Sequence, residues 1–251
     1  MPMSFRDHFS AVSEAYARYR PGYPPAVFTF LAGRVPVQER AWDAGTGNGQ
    51  AALGLARHFD EVVATDASAR QIEQAVPHPR ITYRVEPAER TTLPGASVDL
   101  VTVAQALHWF DLDRFYAEVR RVTRPHAVLA VLAYAMCRVT PAVDAVVDRY
   151  YREVLDAYWP PERAYYLRGY DVPFPFALLE TPSFVYEVDW DLATFLGYLG
   201  TWSAARRYVE DRGEDPRGVI RRDLAEAWGE PGAIQRVRWP LILKVARVHA
   251  G

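Results

Sequence analysis

The sequence has very little cysteine, with Cys137 as the single example among 251 residues. No disulfide can therefore form within one chain. A chain of this length does not need one, because folding removes about 70–75% of its surface from water. Scarce cysteine also fits a reducing compartment. We expect a cytoplasmic protein that is held together by its hydrophobic core.

An excess of charge of either sign is also missing, since 29 Lys and Arg stand against 31 Asp and Glu. A nearly neutral chain has no overall field that attracts a polyanion, so nucleic acid is an unexpected partner. The longest apolar run, residues 127–137, is shorter than the roughly 20 residues that span a bilayer. The amino-terminal segment 1–8 lacks the apolar core of a signal peptide. These absences predict neither a nucleic-acid partner nor a membrane segment.

Two kinds of catalytic pattern are missing. The six histidines are scattered without the paired spacing of metal ligands, so we predict no metal site. The G-x-S-x-G pattern that carries the nucleophile of many hydrolases does not occur either. Both observations argue against a metalloenzyme and against a serine hydrolase of that type.

What the sequence does contain, from about residue 40 to residue 134, is an alternation of short apolar strands with helical stretches. This alternation is typical of crossover connections and a mostly parallel sheet. The strands near residues 98 and 127 are almost continuously apolar, as expected where helices cover both faces. The predicted strands are residues 40–43, 62–66, 81–85, 98–105 and 127–134, and the predicted helices are 49–58, 67–75 and 112–123.

Beyond residue 134 the composition changes. Residues 150–176 hold nine aromatic residues in 27 positions, and several prolines break the same region. We interpret residues 137–182 as an aromatic-rich cap inserted after the fifth strand, which covers a pocket or forms a dimer surface. Two further strands, 184–190 and 241–248, and helices 192–208 and 219–228 are predicted to follow. The whole chain, 1–251, then forms a single domain.

A glycine-rich segment ends the first predicted strand and opens the first helix. It reads Asp43-Ala44-Gly45-Thr46-Gly47-Asn48-Gly49-Gln50. Glycines at such a place let the backbone turn tightly and approach a ligand. A dinucleotide loop, G-x-G-x-x-G, would require glycine where this sequence has Gln50. Asp43 is awkward beside a pyrophosphate but suits an ammonium group, and a methionine moiety carries one.

The second predicted strand ends in Asp66, 21 residues after Gly45. An acid at this edge can accept hydrogen bonds from both hydroxyls of a ribose. The alternative is a capping role at the start of the following helix, which Asp66 or Ser68 could fill. Ala67, Ser68 and Ile72 are candidates to line one side of an adenosine.

Together these residues resemble the class I methyltransferases that depend on S-adenosylmethionine. The resemblance rests on the glycine segment, on Asp66 and on Ala104-Gln105-Ala106-Leu107-His108-Trp109-Phe110-Asp111. It is greatest toward the small-molecule branch with trans-aconitate methyltransferase-like proteins, whose amino-terminal pattern matches residues 16–24. The similarity covers residues 5–134 and resumes loosely at 198–203; the cap does not match. It implies a Rossmann-like, doubly wound, seven-stranded sheet whose last strand is antiparallel.

Carried over by position, the resemblance implies a set of cofactor-binding residues. Arg20 is the candidate for the methionine carboxylate, through a charge-assisted pair. Tyr16, Tyr19 and Tyr23 are candidates to close an amino-terminal lid, residues 1–30, or to pack against the sheet. Glu89 can accept from the adenine amino group or be an exposed loop acid. The implied contacts are Asp43, Gly45 and Gly47 with the methionine end, Asp66 and Ala67 with the ribose side, Ala88 and Glu89 with adenine, and Gln105 with the sulfonium.

On the acceptor side, His108 and Trp109 follow the fourth strand at the edge where open α/β sheets bind ligands. His108 is the candidate general base or substrate contact, with a structural hydrogen bond as the alternative. Trp109 and Tyr19 are predicted to contact the substrate, and Trp202 forms the opposite wall unless it belongs to the core. No residue of the sequence identifies the acceptor.

The predicted function is methyl transfer from S-adenosylmethionine to an oxygen, nitrogen or carboxylate of a small molecule, with S-adenosylhomocysteine as product. Two alternatives belong to other classes. A catalytically silent module would keep the fold and bind the cofactor, and a nicotinamide-dependent oxidoreductase would need the loop to tolerate a pyrophosphate beside Asp43. We expect a monomer or a homodimer.

Overall fold

A computed structural model describes residues 22–161, 165, 169–230 and 232–249. Seven strands form one sheet in the order β3-β2-β1-β4-β5-β7-β6. The strands are β1 (Arg40–Ala44), β2 (Glu61–Asp66), β3 (Ile81–Val85), β4 (Val98–Ala104), β5 (Thr123–Tyr134), β6 (Val185–Trp190) and β7 (Gln235–Arg247).

The first five strands are parallel, whereas β7 runs antiparallel to both of its neighbours, β5 and β6. From β1 the chain moves outward through β2 and β3 and then returns to the other side of β1 as β4. The strand order therefore reverses between β1 and β4. In open sheets of this kind, ligands bind at the carboxyl ends of the strands beside that reversal. The predicted mostly parallel, seven-stranded sheet with an antiparallel last strand is confirmed.

Eight helices connect or flank these strands in the described ranges. Three 3-10 turns, Leu107–Trp109, Asp156–Tyr158 and Pro216–Val219, and one π-helical turn, Tyr150–Val154, complete the elements used below. The helices are α1 (Pro25–Ala32), α2 (Gln50–Leu55), α3 (Ala69–Glu73), α4 (Leu112–Val122), α5 (Pro141–Arg149), α6 (Leu192–Gly200), α7 (Ser203–Arg212) and α8 (Arg221–Trp228).

Both faces of the sheet are covered, because neighbouring residues of each central strand enter different cores. In β1, Ala41 packs on one side with α1 and α2, while the next residue, Trp42, packs on the other side with α4. In β4, Leu100 packs on the side of α1 and α2, and Val101 packs on the side of α4. This alternation explains why the strands read as continuous apolar runs in the sequence.

Helix α4 shows how local sequence positions an element beside the site. Asp111 caps its amino terminus by accepting a 3.3 Å hydrogen bond from the Arg114 amide. Phe115, Val119 and Val122 recur at helical spacing and are fully buried against the sheet. The cap fixes where α4 starts, and so it fixes the turn that joins α4 to β4.

Helices α5 to α8 form a third core with β6 and β7. This core is rich in aromatic rings, with Trp202 packed against Tyr150, Tyr151 and Trp159 at centroid distances of 5.7, 5.8 and 5.7 Å. The aromatic-rich helical region predicted after the fifth strand is therefore present. None of the helices in the part of the chain that the structure describes is long and apolar enough to cross a membrane.

After the helical turns of this region, residues 170–179 run extended along the molecule; we call this segment the strap. The Tyr116 hydroxyl donates a 2.6 Å hydrogen bond to the Pro173 carbonyl. Arg120 lies over the ring of Phe176, 4.8 Å from its centroid. Further along, the Leu179 amide donates to the Val245 carbonyl at 2.8 Å. The strap thus crosses α4 and ends against β7.

One predicted helix, residues 192–208, is wrong, because the structure has two helices there. The Thr201 hydroxyl donates a 2.7 Å hydrogen bond back to the Tyr198 carbonyl, and Trp202 adopts an extended conformation with ψ of 137°. This break directs the Trp202 indole into the aromatic core. Burial of that ring decides the local geometry, which helical periodicity alone does not reveal.

The last strand begins six residues earlier than predicted, at Gln235 instead of residue 241. Its first part pairs with β6 up to Pro240, and its second part pairs with β5 from Leu241 onward. The first part alternates exposed Arg236 and Arg238 with buried Val237 and Trp239. That alternation is the pattern of a strand with one exposed face, and Pro240 concealed its continuity.

Candidate functional site

The site lies at the carboxyl ends of β1 and β4, where the glycine loop and the turn after β4 meet. Gly45 has a positive φ of 67°, and a Cβ built on it would lie 2.6 Å from the Ala106 Cβ and 2.9 Å from the Phe110 ring. Only glycine permits this approach. The loop after β1 therefore rests directly on the segment that follows β4.

Asp43, the last acid of β1, is fully buried beneath the loop. Its Oδ2 accepts a 2.6 Å hydrogen bond from the Thr46 hydroxyl, and its Oδ1 accepts a 2.7 Å hydrogen bond from the Thr102 hydroxyl of β4. Burial raises the pKa of Asp43 to about 6, although both hydroxyls favour the carboxylate. Asp43 ties β1, the loop and β4 together. Its predicted contact with an ammonium group stays a prediction.

Asp66, at the end of β2, bridges two loops. Its Oδ2 accepts a 2.8 Å hydrogen bond from the Gly47 amide, and its Oδ1 accepts one of the same length from the Ser68 amide. Ser68 itself caps helix α3 by accepting from the Gln71 amide at 3.4 Å. The capping alternative considered for Asp66 thus belongs to Ser68. Half-buried Asp66 and exposed Ala67 lie at the sheet edge where a ribose is predicted.

The predicted adenine side is formed after β3. Ala88 is buried, and Glu89 is half-buried, with its Oε1 accepting a 2.9 Å hydrogen bond from the Asp111 amide. Glu89 is therefore more than an exposed loop acid, because it joins the loop after β3 to the start of α4. This contact holds the Glu89 carboxylate beside the turn that follows β4. The same turn packs against the glycine loop.

Gln105 follows β4 in the left-handed region, with φ of 59°, and its amide donates a 2.9 Å hydrogen bond to the Leu132 carbonyl of β5. A non-glycine residue at positive φ costs about 1–3 kcal/mol and occurs often at functional sites. The conformation turns the chain sharply, so that the next residue, Ala106, reaches Gly45. The predicted contact of Gln105 with the sulfonium is at this turn.

His108 is half-buried in the 3-10 turn Leu107–Trp109. Its Nδ1 lies 2.9 Å from the hydroxyl of Tyr170, and the two rings meet edge to face at 5.8 Å. Burial lowers the pKa of His108 to about 4, so the ring is neutral near pH 7. Tyr170 is not among the site residues predicted from the sequence. It stands among many aromatic residues 62 positions away, and no local pattern distinguishes it.

Trp109 packs beside His108, with ring centroids 4.7 Å apart, and keeps 37% of its surface exposed. A large apolar side chain exposed at this edge fits the predicted wall of an acceptor pocket. Trp202, by contrast, is only 6% exposed, and its ring contacts Tyr198 as well as the aromatic rings named above. The structure thus places Trp202 in the third core, and its contact with substrate stays a prediction.

Three predicted site residues, Tyr16, Tyr19 and Arg20, lie outside the described residues. The first described residues lie near the carboxyl end of β5. Tyr23 stacks on Tyr134 with centroids 5.1 Å apart, and the Tyr134 hydroxyl donates a 2.5 Å hydrogen bond to the Gly22 carbonyl. Tyr23, one of the three tyrosines that were candidates for a lid, is therefore held against β5.

Within residues 22–161, 165, 169–230 and 232–249, no three His, Cys, Asp or Glu side chains are grouped so that they could hold a metal ion. The two acids at the site have other partners. Asp43 binds two hydroxyls, and Asp66 binds two backbone amides.

The glycine loop after β1, the acid at the end of β2 and the strand reversal between β1 and β4 define the nucleotide-binding class of α/β sheets. A family model described as a methyltransferase domain matches residues 42–131, from β1 into β5. A protein of Dictyostelium discoideum described as a candidate methyltransferase is 32% identical over 232 residues, which cover 90% of this chain and 88% of that protein.

Solved structures agree with this assignment. A candidate type II methyltransferase from Anaeromyxobacter dehalogenans is 50% identical, with a TM-score of 0.88 over 93% of this chain and 100% of that one. A candidate methyltransferase from an antibiotic biosynthesis pathway of Anabaena variabilis shares the fold at 18% identity, with a TM-score of 0.56 over 88% of this chain and 98% of that one. The chain belongs to the class I methyltransferases. Its resemblance to the trans-aconitate branch stays a prediction.

Proposed function

We propose that this chain binds S-adenosylmethionine at the carboxyl ends of β1 and β4 and transfers its methyl group to an oxygen, nitrogen or carboxylate of a small molecule. One observation carries the proposal. The Gly47 amide is tied to Asp66, while Gly45 rests against Ala106, so the ends of β1, β2 and β4 form one cradle. We also propose that the acceptor is a small molecule and that the protein is a cytoplasmic monomer or homodimer.

The residues of the cradle fit the proposed cofactor. Its floor is glycine backbone, and a Cβ at Gly45 would collide with Ala106 and Phe110, which hold that floor in place. A buried carboxylate at Asp43 suits an ammonium, and the outer lone pairs of the Asp66 oxygens suit ribose hydroxyls. Asp43, Gly45 and Gly47 would hold the methionine end, Asp66 and Ala67 the ribose, Ala88 and Glu89 the adenine, and Gln105 the sulfonium side, with Tyr16 and Arg20 added from the predicted lid.

S-adenosylmethionine, when bound, supplies a sulfonium methyl group as electrophile, and its sulfur keeps the electron pair of the broken bond and becomes the thioether of S-adenosylhomocysteine. The chain's task is to align the acceptor and exclude water. Trp109 offers an apolar wall beside His108. A neutral His108 can hydrogen-bond to the acceptor without adding a positive charge to the site.

Isothermal titration of the full chain with S-adenosylmethionine and with NADH tests the cofactor. We expect saturable binding of S-adenosylmethionine and none of NADH. The reverse result would contradict the proposal and favour the oxidoreductase alternative. Binding of S-adenosylmethionine without formation of S-adenosylhomocysteine across a panel of carboxylic acids, phenols and amines would favour a silent module.

Asp43→Asn tests the loop assignment, and Asp99→Asn is its matched control. Asp99 is also a buried acid of the same sheet, but it lies at the amino end of β4, where it accepts from the Glu39 and Arg40 amides. Both substitutions remove a buried charge, and only Asp43→Asn should weaken S-adenosylmethionine binding. Equal affinity in the two folded variants would rule out a direct or indirect role of Asp43 in binding.

A further inference from the structure

Tyr170, at the start of the strap, is held in an unusual backbone conformation beneath the site. Its φ is 60°, directly after Gly169 with φ of 68°, and its side chain is fully buried. Its amide donates a 2.6 Å hydrogen bond to the Tyr165 carbonyl, and its carbonyl accepts from the Val172 amide at 3.0 Å. A bulky residue persists at positive φ only where its surroundings fix it. Here they fix the ring against His108.

The hydrogen bond between the Tyr170 hydroxyl and His108 determines where the hydroxyl proton lies. The oxygen is 2.9 Å from the His108 Nδ1, and burial raises the pKa of the phenol against the smaller, lowering effect of the nearby backbone amides of Leu107 and His108. A phenol O–H is a stronger acid than a neutral imidazole N–H, and an imidazole nitrogen is a stronger base than a phenol oxygen, so the hydroxyl is the donor in this hydrogen bond. That proton points to Nδ1. A neutral His108 then carries its own proton on Nε2.

We propose that Tyr170 is a positioning residue for the methyl-transfer site: it holds His108 as the neutral Nε2–H tautomer, so that His108 offers a hydrogen-bond donor where a general base was expected. The donor of this tautomer is Nε2, the ring nitrogen that is not the one bonded to the Tyr170 hydroxyl. Donation of a hydrogen bond from the His108 Nε2–H to the methyl acceptor rests on the proposed function. The tautomer of His108 does not depend on that function.

The electrostatic surroundings agree with a neutral ring. Burial is the cause that lowers the pKa of His108 to about 4. The phenol of Tyr170 faces it from the strap, and Tyr116 of α4 lies near Tyr170; burial raises the pKa of both phenols. Both stay uncharged near pH 7, and neither favours the imidazolium.

Nuclear magnetic resonance of the full chain with ¹⁵N-labelled histidine tests this arrangement directly. In the wild-type protein we expect the Nε2–H tautomer of His108 and no titration between pH 5.5 and 8. In Tyr170→Phe we expect a mixture of both tautomers and a pKa of His108 that rises by about one unit, because a hydrogen bond to the neutral ring is lost. His108→Gln identifies the signal.

Tyr116→Phe is the matched control. It also removes a buried hydroxyl that is bonded to the strap, through Pro173, but it leaves the Tyr170 to His108 contact in place. We expect its His108 signals to match those of the wild type. An Nδ1–H tautomer in the wild type, or unchanged His108 signals in folded Tyr170→Phe, would overturn the proposal. If S-adenosylmethionine fails to bind the wild type, the proposed function fails, while these signals still decide the role of Tyr170.

Discussion

Asp43 and Thr102 are direct partners in the register of β1 and β4, and the Thr102 hydroxyl donates a 2.7 Å hydrogen bond to the Asp43 carboxylate. This bond joins the two strands at the place where the strand order reverses. It also stabilises a charge that burial disfavours. The architecture of the sheet and the ionisation of the site are therefore coupled through one side-chain pair.

Thr102→Val should cost roughly 1.5–3 kcal/mol of unfolding free energy at pH 8, because a buried carboxylate loses a donor. The cost should be smaller at pH 5, where Asp43 is protonated. Urea unfolding at both pH values measures it. Thr82→Val, at an exposed position of β3, is the control and should change stability by less than about 0.5 kcal/mol. An equal cost at the two pH values would show that the Thr102 hydroxyl does not stabilise the charge on Asp43.

Binding of S-adenosylmethionine should strengthen as the pH rises toward about 6. The pKa of Asp43 is raised to about 6, and the carboxylate that would attract an ammonium is lost below that value. We expect affinity to fall roughly tenfold per pH unit below 6, the slope for one coupled proton. Titration calorimetry at pH 5, 6 and 7 measures this slope. Asp43→Asn should bind weakly and without the slope; a wild-type affinity that does not vary with pH would contradict the prediction.

Two groups, Asp43 and His108, should change the free energy of unfolding in opposite directions between pH 4 and 6.5. The raised pKa of Asp43 stabilises the fold at low pH, and this contribution is lost as the pH rises through about 6. The lowered pKa of His108 destabilises the fold as the pH falls from the ordinary value of 6.5 toward about 4. The wild-type free energy of unfolding should therefore vary little in this range from these two groups.

Single substitutions separate the two contributions. In His108→Gln only the Asp43 contribution remains, so stability should fall by roughly 2–3 kcal/mol between pH 4 and 6.5. In Asp43→Asn only the His108 contribution remains, and stability should rise by a similar amount. Urea unfolding across this range measures both. Parallel curves for the two variants would show that neither shift exists.

Gly45→Ala should destabilise the protein and abolish S-adenosylmethionine binding, because its Cβ would lie 2.6 Å from the Ala106 Cβ. Gly213→Ala is the control, since Gly213 has a similar φ of 69° but no atom within 4 Å of the added Cβ. The control should lose only about 1 kcal/mol for its left-handed backbone. Thermal unfolding and calorimetry measure the pair. Equal effects of both substitutions would show that the contact with Ala106 does not matter.

His108→Gln should retain more methyl transfer than His108→Ala on the first acceptor found. Glutamine keeps an N–H donor but has no basic nitrogen, so it can replace a donor and cannot replace a base. We expect turnover within about tenfold of the wild type for Gln and a loss of about 100-fold for Ala, the usual range for one such contact. Formation of S-adenosylhomocysteine measures turnover. A similar large loss in both variants would identify His108 as a base.

The sequence predicts the parts of this protein that depend on neighbouring residues. The first five strands follow from local patterns of glycine, charge and apolar residues, and the fold confirms them. The glycine loop and Asp66 lie where the pattern predicts, after β1 and at the end of β2. The sequence leaves the cap at the start of α3 open between Asp66 and Ser68, and the structure assigns it to Ser68.

Other features depend on contacts between distant residues. The break before Trp202 exists because the indole packs among rings from another helix and turn. The partner of His108 is 62 residues away and lies in a region without periodicity. Strand β7 could not be traced through Pro240, since its two halves pair with different strands. Such choices are decided by tertiary packing, which a local pattern does not contain.

The strap connects the surroundings of His108 to strand β7 over a short stretch of chain. It starts at the residue that orients His108 and, nine positions later, is hydrogen-bonded to β7 at the Leu179 amide. Its length is consequently set at both ends. Insertions or deletions between residues 170 and 179 should shift the histidine or unpair the strand, so sequences that diverge from this one have little freedom to change the number of residues here.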